Sequence, residues 1–325
     1  MKKILLLLSG IVLMGANVMA QEATEEPKRK AIINVFANAH TGFGVDNDDR
    51  GFELDRSYVG YQYSLGKGLS VKAVLDVGQS SDVDDYHRIV YVKNAQATWK
   101  TGRLTLDGGL ISTTQFKVQE KHWGYRYIMK SFQDEYKFGS SADLGLSVAY
   151  KFADWVSADA IIVNGEGYKK VQVKDGLQYG LGATFTPVEG LTMRVYGSLN
   201  ESAMKGAKDA YNWAAFVGYQ TGRFSLGAEY NIFQNTGFVK GADQYGLSVY
   251  GTAQLSNVVN LFARYDNLSS KDDWNIAKDE DAAMLGAQFK VCKYVKIAPN
   301  VRMSIPSAPG ADNHYSAYVS CFFGL

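Results

Sequence analysis

Residues 313–325 alternate almost without a break: Tyr315, Ala317, Val319, Cys321, Phe323 and Leu325 fall on one side of the chain, and His314, Ser316, Tyr318, Ser320 and Gly324 on the other. Only Phe322 breaks the pattern. A period of two defines a strand, and one wholly apolar face closing in aromatics suits a strand whose outer side meets lipid. Such a strand cannot stand alone. Hydrocarbon offers no partner for an unpaired amide or carbonyl, so lipid-facing strands must close on themselves as a barrel.

The same alternation recurs along the chain. About sixteen segments carry it, near 31–43, 53–65, 69–78, 88–99, 103–112, 142–152, 155–163, 177–186, 191–200, 210–220, 223–233, 245–255, 258–267, 282–292, 294–304 and 314–325. Most have the roughly 9 to 11 residues that a tilted membrane strand needs. The connections carry more information than the strands. Every second one is tight, as at Gly66-Lys67-Gly68, Lys100-Thr101-Gly102, Ala153-Asp154, Thr221-Gly222 and Lys293. The others are longer and polar, which is the layout of a bacterial up-and-down barrel with short turns at one end and long loops at the other. The predicted fold is therefore all-β: a transmembrane antiparallel barrel of about sixteen strands. Aromatics sort toward both ends of the outward faces, with Tyr61, Trp99, Phe185 and Tyr219 at one and Trp213, Tyr230, Tyr265 and Tyr315 at the other, as interfacial girdles do. Pro299 falls inside the fifteenth strand, where its missing amide proton predicts a bulge or a shifted boundary.

The N-terminus reads as an export signal: Lys2 and Lys3, an apolar run from Ile4 to Met14, and a small-residue cleavage pattern at Val18-Met19-Ala20. The expected organisation is a signal peptide over 1–20, a flexible lead-in over 21–30 and a barrel over 31–325. Removing 1–20 takes the net charge from +1 to about −1, which does not suggest a nucleic-acid partner. No later stretch approaches the roughly 18 to 20 apolar residues of a membrane helix. Cys292 and Cys321 are expected to be unpaired, because they sit two strands apart at about 4.8 Å per strand, or about 10 Å, beyond the reach of about 7 Å for a disulfide.

Parity then assigns the charges. Arg56, Lys72, Arg88, Arg103, Lys151, Arg194, Arg223, Arg264, Lys290, Lys296 and Arg302 are expected to face the lumen, against Asp76, Asp107, Asp143, Asp159, Glu229 and Asp266. The bias is basic, and rings of Lys and Arg favour anions; the plainer reading is a wet lumen whose charges pair across strands. The longest connection, 113–141, is the third of the long loops and holds eight ring-bearing residues, counting His122. Loops of that length are functional or disordered, and the rings argue against disorder. It carries Lys117, Lys121, Arg126, Lys130 and Lys137, and is expected to fold into the lumen and narrow it. A rim-packed loop is the alternative.

No serine or acid stands near His40, His87, His122 or His314 in a recognisable catalytic motif, and no phosphate-cradling or zinc spacing occurs. Neither enzyme activity, metal nor cofactor is expected. Two non-catalytic readings remain: a passive pore, or a surface-exposed binding or adhesion barrel with a blocked lumen. Small barrels of about eight strands fill with side chains, whereas about sixteen leave a channel.

Several stretches resemble the outer-membrane porins, most closely the phosphate-selective O and P type: FELDRSYVGYQY (52–63), FKVQEKHWGYRYIMKSF (116–132), SADLGLSVAYKF (141–152), IIVNGEG (161–167) and LFARYDNL (261–268). That resemblance implies sixteen strands, a homotrimer in outer-membrane lipid, and a third loop inside the pore. It also implies small hydrophilic or anionic solutes. In its phosphate-selective members arginine ladders and a lysine cluster guide the anion; Arg126 and Lys130 in the loop, with Arg56, Arg88, Arg194, Arg264 and Arg302 on the wall, are the matching candidates.

Overall fold

In the computed structural model, which describes residues 28–44, 47–80, 84–170 and 176–325, each alternating segment is a strand and its neighbour in sequence is its neighbour in space. The strands are β1 (Arg29–Phe43), β2 (Arg50–Gly66), β3 (Leu69–Ser80), β4 (Asp84–Thr101), β5 (Leu104–Ser112), β6 (Ala142–Ala153), β7 (Val156–Val163), β8 (Gln178–Phe185), β9 (Leu191–Asn200), β10 (Ala210–Gln220), β11 (Phe224–Gln234), β12 (Gln244–Gln254), β13 (Val259–Ser270), β14 (Glu280–Cys292), β15 (Val295–Pro306) and β16 (His314–Gly324). They form one closed antiparallel barrel of sixteen strands. Closure is made by β1 against β16, in register from Asn34↔Gly324 to Phe43↔Tyr315. Among the described residues no helix is long and apolar enough to cross a membrane.

Burial follows the period of two. Leu181, Val195, Leu226 and Leu285 stand more than half exposed on the outside. The residues one step along, such as Tyr196, Phe216, Tyr250 and Met284, are buried on the inside. A lysine or arginine on the outer face near the bilayer midplane would cost about 2–4 kcal/mol, which is why charge is confined to the inner face and the ends. Tight turns gather at one end, and the long connections, 113–141 among them, at the other. The expected leader, 1–20, lies outside the described residues. β1 begins at Arg29, inside the stretch expected to be a flexible lead-in.

Two expectations are corrected by irregularities of the ladder. Pro299 pairs with Val319 of β16 without a register shift. Toward β14 the ladder passes from Gly286↔Asn300 to Phe289↔Ile297 in the same register, and the shift of that pair lies between Lys290 and Cys292 instead. The proline interrupts pairing without making a bulge. On β4 the register with β3 shifts between Val74↔Asn94 and Leu75↔Val92, leaving Lys93 as an extra residue. The bulge reverses the alternation. Arg88 thereby joins Val90 and Val92, both exposed, rather than the inner wall, and its Nε donates to the Leu54 carbonyl at 3.2 Å.

Candidate functional site

Segment 113–141 is an ordered structure pinned at its ends, where the Thr113 amide donates to the Ser141 carbonyl at 3.2 Å. Gln115, buried, ties the segment across its middle: Nε2 donates to Gln133 Oε1 at 2.8 Å and to the Phe138 carbonyl at 3.0 Å. Its first helix, α1 (Lys117–Trp123), is amphipathic at helical spacing: Gln119 and Trp123 are buried, Lys117 and Lys121 exposed. Gly124 ends it at φ 71°, a left-handed conformation that glycine adopts without a steric cost. The indole of Trp123 donates to the Met129 carbonyl at 2.8 Å, fixing the chain reversal that follows. A second helical turn, α2 (Phe132–Glu135), follows.

The segment packs against inward-facing side chains from many strands. Trp123, Tyr125, Tyr127 and Ile128 share one cluster with Phe36 of β1, Tyr58 of β2, Phe216 of β10, Tyr250 of β12, Phe262 of β13 and Met284 of β14. Trp123 meets Tyr250 at 5.1 Å between ring centroids, and Tyr125 meets Phe262 at 5.1 Å. Phe132 and Phe138 form a second cluster with Leu268 and Phe233 nearer the long-loop end. Two wall glycines make the space: a Cβ on Gly246 would lie 2.1 Å from the Phe132 ring, and one on Gly218 2.6 Å from the His122 ring. Hydrogen bonds add direction, from Tyr127 Oη to Gln288 Oε1 at 3.0 Å and from Tyr250 Oη to the Gln119 carbonyl at 3.3 Å.

Three of the arginines singled out from the sequence turn out to be fasteners. Arg264 grips both oxygens of Asp266 at 2.8 and 2.6 Å and donates to the Lys130 carbonyl at 2.5 Å. Arg194 grips both oxygens of Asp159 at 2.7 and 3.0 Å and donates to the Thr114 carbonyl at 2.7 Å. Arg302 donates to the Ile128 carbonyl at 2.8 Å and stacks 3.8 Å over the Tyr318 ring. Bidentate, charge-assisted bonds of this kind are strong and geometrically demanding. All three hold 113–141 by its backbone, Arg194 and Arg264 while also gripping a carboxylate. Arg56 lies 3.2 Å from Asp76, which is almost fully buried.

Within the segment, Arg126 bonds the carboxylates of both Glu120 and Asp134, and donates to Tyr58 Oη at 3.3 Å. Burial alone would raise the Asp134 carboxyl, but the Arg126 guanidinium outweighs it and holds the group below the ordinary aspartate value. Lys130 pairs with Glu135 at 3.6 Å. Lys117, Lys121 and Lys137 are exposed. Lys72 on β3 donates to Ser112 Oγ at 3.3 Å, and Lys93 and Lys117 are within electrostatic range of it. Arg103 lies in the turn before β5 and donates to the Phe152 carbonyl at 2.5 Å; it belongs to the tight-turn mouth rather than to the wall.

Sequence reasoning missed Lys93 and Tyr168. Lys93 Nζ donates to Ser141 Oγ at 2.7 Å and sits over the rings of Tyr168 at 4.5 Å and Tyr58 at 5.2 Å. Tyr168, in the next long loop, donates to the Asp76 carboxylate. Among the described residues no group of three His, Cys, Asp or Glu could hold a metal ion.

No family model matches the chain, and no curated protein matches it in sequence. Solved structures do. Pseudomonas putida OprB covers 91% of this chain and 94% of its own at 12% identity and a TM-score of 0.73. The anion-selective porin from Comamonas acidovorans covers 92% and 100% at 13% identity and 0.70. OmpT of Vibrio cholerae covers 94% and 99% at 16% identity and 0.65. The architecture is that of the outer-membrane porins.

Proposed function

We propose that this chain is an outer-membrane porin, a water-filled channel for passive diffusion of small hydrophilic solutes, with no catalytic role. The observation that carries this reading is the fastening of 113–141 to the inner side of a sixteen-strand barrel, through the carbonyls of Thr114, Ile128 and Lys130. A barrel of that size is wide enough for an aqueous bore, and a braced loop packed on its inner wall supplies a constriction. The reading includes cleavage after Ala20, tight turns toward the periplasm, and assembly as a homotrimer.

A modest anion preference is the finer part of the proposal. It rests on Lys72, Lys93, Lys117 and Lys121 rather than on Arg194 and Arg264, each of which grips a carboxylate and a loop carbonyl. The pairing of Arg56, Arg194 and Arg264 with Asp76, Asp159 and Asp266 speaks against an arginine ladder for phosphate and favours general anion selectivity. Recording the refolded chain 21–325 in a planar bilayer under a KCl gradient tests both parts. Stepwise openings with a reversal potential of anion sign support them. A cation-sign potential overturns the preference alone, and a folded barrel that never conducts overturns the channel.

A further inference from the structure

The two mouths of the barrel carry opposite charge. At the tight-turn end, the described turns and the three strand residues flanking each hold eight Lys and Arg against two carboxylates, Asp154 and Glu189. Lys100, Lys151, Arg223, Lys290 and Lys296 continue the inward faces of their strands there. At the other end, outside 113–141, the same definition gives thirteen carboxylates against eight Lys and Arg whose side chains are described.

The basic mouth is not explained by pairing. Lys290 stands directly opposite Lys296 across β14 and β15, a like-charge cross-strand pair that is unfavourable in itself. Lys296 lies over the Phe322 ring at 5.1 Å. Lys151 reaches Asp154 at 2.9 Å, but that carboxylate is 91% exposed and water weakens such a pair. On the loop side Arg56 is paired with Asp76 and Arg264 with Asp266, and Glu53, Asp55 and Glu135 line the cavity under the loop together with Arg56, Arg126, Lys130 and Arg302.

We propose that this axial separation of charge makes the pore a rectifier, with an anion-collecting mouth at its tight-turn end and a cation-tolerant mouth at its loop end. The inference rests on the channel reading. Fixed charge at a mouth enriches ions of opposite sign over about one Debye length. When the loop side is positive, cations enter through the acidic mouth and anions through the basic one, both fill the middle, and conductance rises. The opposite polarity draws both species out through the mouths that hold them and depletes the middle.

The test is the current–voltage relation of single channels in symmetric KCl. At 0.1 M, where the Debye length is about 10 Å, the two polarities are expected to differ about twofold in current; at 1 M, where it is about 3 Å, the difference should vanish. The variant combining Lys151→Gln, Lys290→Gln and Lys296→Gln should rectify less than the wild-type channel at 0.1 M. An ohmic wild-type channel at 0.1 M overturns the rectifier and leaves the channel reading intact. So does an asymmetry that survives at 1 M or is undiminished in the triple variant at 0.1 M. Should the variant not fold, the salt dependence of the wild-type channel decides alone. A folded barrel that passes no current removes the channel reading, and the rectifier with it.

Discussion

The Arg264 guanidinium lies 2.5 Å from the main-chain oxygen of Lys130, joining the wall of the barrel to the loop through a side chain that is also locked to Asp266. Arg264 and Asp266 are both nearly inaccessible to water. Removing one partner of such a buried pair costs about 3–5 kcal/mol, because the other charge is left without compensation. Arg264→Gln is therefore expected to loosen 113–141, raising open-channel noise and mean conductance while leaving the anion-to-cation ratio unchanged. A selectivity shift at constant noise would instead make Arg264 a contact of the permeating ion.

Selectivity should respond to the exposed lysines. Lys117→Glu combined with Lys121→Glu changes charge on the open face of α1 without touching its buried Gln119 and Trp123, so the reversal potential is expected to move toward cations with the barrel as stable as before. Arg126→Glu combined with Lys130→Glu is a different perturbation. It would set new carboxylates among Glu120, Asp134 and Glu135, the residues now paired with those cations. The expected outcome is loss of loop order, read as protease cleavage within 113–141, before any clean change in selectivity.

These contrasts mark what was legible in the sequence. Strand number and the segregation of tight from long connections follow from alternation and turn residues, which are local. The inward set was legible only as far as parity holds. One extra residue, Lys93, moved itself onto the wall and Arg88 off it. The role of the arginines was hidden for another reason. Arg264 finds Asp266 two residues along its own inward face, which parity could have suggested, but its second partner is a backbone carbonyl 134 residues away. Main-chain acceptors carry no side-chain signature, so a fastener and an ion ligand look alike until the loop is in place.

The wall glycines offer a test of packing that leaves charge untouched. Gly246→Ala places a methyl 2.1 Å from two atoms of the Phe132 ring, which is fully buried. Overpacking of this kind costs about 1–3 kcal/mol. The ring can yield only by leaving its cluster with Phe138 and Leu268. The closed barrel should persist, retaining heat-dependent gel migration, while protease access to 113–141 increases. An unchanged cleavage pattern would mean that Phe132 does not anchor the loop at β12.

His122 gives the loop a pH dependence whose sign can be worked out. Its Nε2 sits 2.9 Å from the Leu226 carbonyl and 3.1 Å from Ser225 Oγ, with the ring against Phe216 at 5.3 Å and Tyr250 at 6.1 Å. Burial lowers its pKa below 6.5, and the hydrogen bond to Leu226 restores only part of that loss. A base whose pKa is lower when packed than when free binds more protons in the loosened state. The packed state is then fully favoured above 6.5 and loses stability as pH falls below that value. Wild-type channels are expected to flicker more as pH drops from neutral through 6 toward the depressed pKa, while His122→Gln channels should show pH-independent noise over the same range. Equal flicker in both would place the acid response elsewhere, and Asp134 would not supply it, since Arg126 holds that carboxylate ionised below its ordinary range.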